Sequence, residues 1–187
     1  TGVQTCALPI SLVQKDRDFK EINQFLTEFP NQEFQQEVIQ LRDELAFIQI
    51  QNSSNSEDFK NYIVKYPSSS FKNKAQNKLE ELAFADAQDK NTVGEYKLFI
   101  QLYPNSNFVS RARENILDLE WTSAKSSNDL VLLKKFISEH SDCIYAAECK
   151  KLIVSAEWRI LSSSEDAEAI LNWARSNSQY AEAELAN

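Results

Sequence analysis

Three prolines, Pro30, Pro67 and Pro104, stand 37 residues apart, and the text around them repeats: FLTEFPNQEF, YIVKYPSSSF, FIQLYPNSNF. Two further steps of 37 reach Ser141 and Ser178, and FISEHSDCIY continues the pattern without the proline. A repeat of this length limits the fold more than any composition does. Each copy has to make the same elements and bury the same faces against its neighbours.

Before each of these points the sequence specifies a short helix. Eight residues ahead stand Ile22, Phe59, Tyr96, Leu133 and Ile170, five ahead Phe25, Tyr62, Phe99, Phe136 and Trp173, and four ahead Leu26, Ile63, Ile100, Ile137 and Ala174. Offsets of three and four put these side chains on one face of a helix. Twelve ahead stand Asp18, Asn55, Thr92, Asp129 and Asp166, residues whose side chains accept from the free N–H groups of a first turn. In Thr92-Val-Gly-Glu95 the cap extends to a capping box. Proline then stops the helix, because it lacks an N–H and biases its predecessor away from helix.

A longer helix follows. Phe34, Phe71, Phe108 and Tyr145 open it, and the small or medium Val38, Ala75, Ala112 and Cys149 come four residues later. Leu45, Leu82, Leu119 and Ala156 share that face, with Ile50, Ala87, Ala124 and Leu161 near the end. Phe47, Phe84, Trp121 and Trp158 fall on a second face, which predicts a helix packed on two sides, as stacked hairpins require. Polar breaks such as QNSSNS and AQDKNT end it. The expected fold is all-α: an α-solenoid of helix–turn–helix repeats over 11–187, with repeats at 18–54, 55–91, 92–128, 129–165 and a partial one at 166–187. About nine or ten helices and essentially no strand are expected. Leu12–Arg17 reads as the tail of an earlier repeat, and both ends read as cut within a repeat.

The run Phe99-Ile-Gln-Leu-Tyr103-Pro104-Asn-Ser106-Asn-Phe108-Val-Ser-Arg-Ala112 resembles tetratricopeptide-like repeats, closest to those of bacterial envelope proteins. Those repeats commonly have 34 residues and a Leu-Gly pair after the proline, whereas this one has 37 and no such glycine. The resemblance implies a superhelix that holds a peptide or domain of a protein partner, and it favours the envelope over the cytoplasm without fixing the compartment. Thr1–Ile10 resembles something else, the translation of a widely used sequencing-library adapter, so 1–10, with Cys6, is set aside as an artefact.

Chemistry has few footholds. The net charge of −8 disfavours a nucleic-acid partner, which is held by neutralising phosphates. No apolar run reaches the roughly 20 residues of a membrane span, so no membrane insertion is expected in this segment. Two glycines are few for a Gly-rich nucleotide site. Cys143 and Cys149 lie six apart, on different faces of a helix, and read as a loop thiol and a small buried residue. His140, the only histidine, stands where other repeats have Phe29, Tyr66 and Tyr103, and reads as a polar variant of that ring. No catalytic residue, metal site or cofactor is expected.

One polar stripe recurs. Gln40, Asn77 and Glu114 stand one turn before Glu44, Glu81 and Asp118 on the longer helices. It reads either as a solvated face or as an acidic ridge that binds a partner. The expected function is a non-catalytic protein–protein interaction scaffold. The alternative is a regulatory or substrate-presenting arm of a larger enzyme.

Overall fold

A computed structural model describes residues 19–30 and 34–180, and among these it is built from nine α-helices and no strand. They are α1 (Phe19–Glu28), α2 (Gln35–Ile50), α3 (Ser56–Lys65), α4 (Lys72–Lys90), α5 (Val93–Leu102), α6 (Val109–Ser127), α7 (Leu130–Glu139), α8 (Ala146–Leu161) and α9 (Ala167–Ser176). Short ten-residue helices alternate with helices of 16 or 19 residues. The adapter-like run and the cap expected at Asp18 lie outside the described residues.

The expected caps form. Asn55 accepts from the Glu57 N–H, Thr92 from that of Glu95, Asp129 from that of Val131 and Asp166 from that of Ala169. At the other end, α1, α3 and α5 stop two residues short of a proline. So does α7, although Ser141 stands there instead. The stop is therefore shared with the turn. Ser69 and Ser106, two residues past the prolines, are buried, and their hydroxyls accept from the N–H groups of Phe71 and Phe108 at the start of the next helix. The two 19-residue helices end against Asn91 and Asn128, both at positive φ, a conformation that asparagine tolerates better than most residues.

The contacts group into two compact units. The first holds α1–α4 with Leu98–Val109, and the second holds Thr92–Lys97 with the chain from Ser110. In the first, Phe59, Tyr62 and Ala75 are buried with Ala46 and Phe47, and Ile22, Phe25 and Val38 form a neighbouring cluster. In the second, Leu133, Phe136 and Cys149 are buried with Trp121 and Ala124, and Val154 packs with Trp173 and Ala174. Of the faces read from the sequence, the positions eight and five residues before each repeat point are buried except the half-buried Ile170, and those four before it are half-buried except the buried Ala174. The five rings five residues before each repeat point are all buried, and Ala75, Ala112 and Cys149 are fully so. Cys149 and Cys143 are free thiols, and burial pushes the Cys149 thiol above its ordinary pKa.

Aromatic contacts recur at matching positions. Phe47 stacks on Phe71, Phe84 on Phe108 and Trp121 on Tyr145, with centroids 5.0–5.3 Å apart. The same three rings touch Tyr62, Phe99 and Phe136, and Trp158 touches Trp173. The second apolar face of each longer helix is thus filled by the helices that follow it, which explains why those helices carry rings on both sides.

Candidate functional site

Two grooves stand out, one in each compact unit. The first, about 240 Å³, is lined by Phe19, Ala46, Gln49, Ile50, Asp58, Asn61, Tyr62, Lys65 and Tyr66. The second, about 220 Å³, is lined by Val93, Leu119, Glu120, Ser123, Ala124, Leu132, Lys135, Phe136 and Glu139. Eight of the residues correspond after a shift of 74 positions, two steps of 37: Phe19 to Val93, Ala46 to Glu120, Gln49 to Ser123, Ile50 to Ala124, Asp58 to Leu132, Asn61 to Lys135, Tyr62 to Phe136 and Lys65 to Glu139. Each groove lies between the end of a longer helix and the short helix that follows it, with a wall from the short helix before.

The walls are alike and the rims are not. Both floors carry a buried ring, Tyr62 or Phe136, beside Ile50 or Ala124. On the first rim, the Lys65 ammonium lies 6.0 Å from the centre of the Phe19 ring and 5.5 Å from that of Tyr66. Arg42 lies 5.1 Å from the same Tyr66 ring and holds the buried Asp43 carboxylate at 2.7 Å. Below it, the Tyr62 hydroxyl donates to the Asp43 carbonyl and pairs with the Ser69 hydroxyl. Burial pushes the Tyr62 phenol above its ordinary pKa.

The second groove is rimmed by carboxylates. Glu120 takes Lys97 at 3.3 Å on one oxygen and His140 Nε2 at 2.9 Å on the other. One repeat later Glu157 takes Lys134 at 2.6 Å and the Trp173 indole N–H at 3.1 Å. Both glutamates brace their own hairpin and reach the short helix that follows. His140 also touches Phe136, as Tyr66 touches Tyr62 and Tyr103 touches Phe99, so it keeps the ring position read from the sequence while adding a polar bond. Glu139 stands 4.0 Å from Lys135 and keeps about half of its side chain exposed.

None of the six stripe residues lines either groove. Gln40, Asn77, Glu81, Glu114 and Asp118 are exposed and Glu44 is half-buried. Glu81 pairs with Lys78 at 2.7 Å, and Asp118 accepts from the Tyr145 hydroxyl at 2.7 Å. That bond holds the Tyr145 phenol above its ordinary pKa, because it favours the protonated form. The groove residues were missed in the sequence because a groove is the shape left between helices. A usable trace was present even so: Asn61 and Lys65, Leu98 and Leu102, and Lys135 and Glu139 occupy the same positions on successive short helices and vary freely.

Among the described residues no group of three His, Cys, Asp or Glu could hold a metal ion, and no helix is long and apolar enough to cross a membrane. No protein-family model matches this sequence, and no curated protein is similar to it.

Proposed function

We propose that this chain is a non-catalytic interaction scaffold, a tetratricopeptide-like α-solenoid of 37-residue hairpins that binds a partner polypeptide by seating side chains in grooves between successive hairpins. The observation that carries this reading is the recurrence of one groove, built from matching positions, in both compact units. A repeat array repeats its surface along with its core, so a partner can engage several equivalent sites. Volumes of about 220 and 240 Å³ fall below the range of roughly 300–1,000 Å³ usual for small-molecule sites, and suit single anchoring side chains. The stripe Gln40, Glu44, Asn77, Glu81, Glu114 and Asp118 adds a screened, long-range attraction for a basic partner.

Selection of binding peptides from a displayed random library, followed by amide chemical-shift mapping, tests the proposal. The peptides should shift residues around Gln49, Asn61, Ser123 and Leu132, and groove-filling Gln49→Trp and Ser123→Trp, both at exposed positions, should each weaken the peptides that map to the filled groove. Peptides that map elsewhere and bind the filled variants equally would contradict it.

A further inference from the structure

The two grooves are built from matching positions and carry opposite charge at one of them, Lys65 in the first and Glu139 in the second. We infer that the second groove takes a lysine or arginine side chain from the partner, in the place that the chain's own Lys65 occupies in the first. The inference rests on the groove-binding reading and adds to it the chemistry of one anchor.

In the first groove the fold shows what the position accepts. Lys65 lays its ammonium over the rings of Phe19 and Tyr66, two of the groove's own walls. In the second groove Glu139 takes that position, and the groove's own cation, Lys135, stands one turn earlier, where the first groove has Asn61. A second acid arrives with Glu120, where the first groove has Ala46, while the first groove's Asp58 gives way to Leu132, so this lining carries two acids and one base where the first carries one of each. The aromatic wall Phe19 becomes Val93, so a cation seated here is held by carboxylates instead of a ring face. Leu119, Leu132 and Phe136 supply an apolar bed for the aliphatic stem of a long basic side chain, whose head then reaches the rim. Glu139 is available for it: its contact to Lys135 is at the 4.0 Å limit and both side chains are more than half exposed. Glu120 is held in position by Lys97 and His140, so its carboxylate is already oriented along the rim.

The probes are acetyl-Leu-Arg-amide, its citrulline counterpart of the same shape without the charge, and acetyl-Leu-Leu-amide, each titrated while the amides of the two grooves are followed. The arginine peptide should shift Ser123, Leu132 and Glu139 and bind about twofold to fivefold more tightly than the citrulline peptide, the worth of one exposed ion pair. The preference should shrink as salt is added and vanish in Glu139→Gln. Lys65→Glu should create the same preference at Gln49 and Asn61 of the first groove. Equal binding of the arginine and citrulline peptides, or a preference that survives Glu139→Gln, would overturn the inference and leave the groove reading standing. Failure of all three peptides to shift groove amides would instead bring down the groove reading itself.

Discussion

Phe84 lies face to face with Phe108, ring centroids 5.0 Å apart and planes 14° from parallel, and it also meets Phe99 at 5.3 Å. One side chain of a longer helix thus joins the two elements that follow it. Stability should concentrate in these rings. Phe99→Ala should cost about 3–5 kcal/mol, as for a buried aromatic, whereas Thr92→Ala, which loses one exposed cap bond, should cost about 1 kcal/mol. Urea unfolding of the two variants measures the difference, and equal losses would contradict the placement of Phe99 in the core.

Asn91 ends α4 at φ 47°, in the left-handed region, and its backbone N–H bonds to the Ala87 carbonyl. A β-branched side chain is poorly suited to that conformation. Asn91→Val should lower stability by about 1–2 kcal/mol, whereas Asn91→Gly should leave it near wild type. Thermal unfolding compares the pair, and a harmless valine would show that the helix end adapts at no cost.

The Tyr62 hydroxyl, 2.8 Å from the Asp43 carbonyl, ties α3 to α2 beneath the first groove. Tyr62→Phe should cost about 1 kcal/mol, the net worth of a hydrogen bond whose other partners keep alternatives. The pH dependence has a definite sign. Burial raises the folded-state pKa of this phenol, so the folded protein holds its proton more tightly than the unfolded chain does. Its contribution is complete below the ordinary value of 10.0 and is lost as the pH rises through the elevated folded value. Tyr145, held up by Asp118, acts in the same direction. Denaturation between pH 8 and about 11 should show the loss, and Tyr62→Phe should flatten it; a slope unchanged in Tyr62→Phe would refute the assignment.

Glu157 separates an ion pair from a hydrogen bond. Its contact to Lys134 is short, but the lysine is about half exposed, so Lys134→Met should cost at most about 1 kcal/mol. Glu157→Gln should behave alike, since an amide oxygen still accepts from the Trp173 indole. Glu157→Leu should cost more, by about 1 kcal/mol, and shift the tryptophan fluorescence. Three equal variants would show that the indole bond contributes nothing.

Most of the helical layout was legible in the sequence because the 37-residue offsets mark buried faces at helical spacing. Asn55, Thr92, Asp129 and Asp166 announced helix starts by a local rule that needs no tertiary information. The partners of Glu120 and Glu157 were not legible. Surface lysines and glutamates are abundant, and only the packing of three helices selects Lys97 and Lys134 among them. Ser69 and Ser106 stood in plain view in the proline motif, but their role depends on burial, which a polar residue in a turn does not advertise. The acidic stripe was visible because it repeats. The grooves were hidden because the residues that recur in them recur in position and not in type.

The central claim is that the grooves anchor the partner and that the stripe adds only a salt-screened attraction. Isothermal titration of a library-selected peptide against three proteins tests it: wild type, Ser123→Trp, and the triple reversal of Glu44, Glu81 and Asp118 to Lys. The account predicts that Ser123→Trp weakens binding by about tenfold or more, the loss of one anchoring side chain. It predicts that the triple reversal lowers affinity chiefly at low salt, as screened surface charges do. Unchanged affinity in Ser123→Trp, with binding abolished at all salt concentrations by the triple reversal, would contradict the account and assign recognition to the stripe.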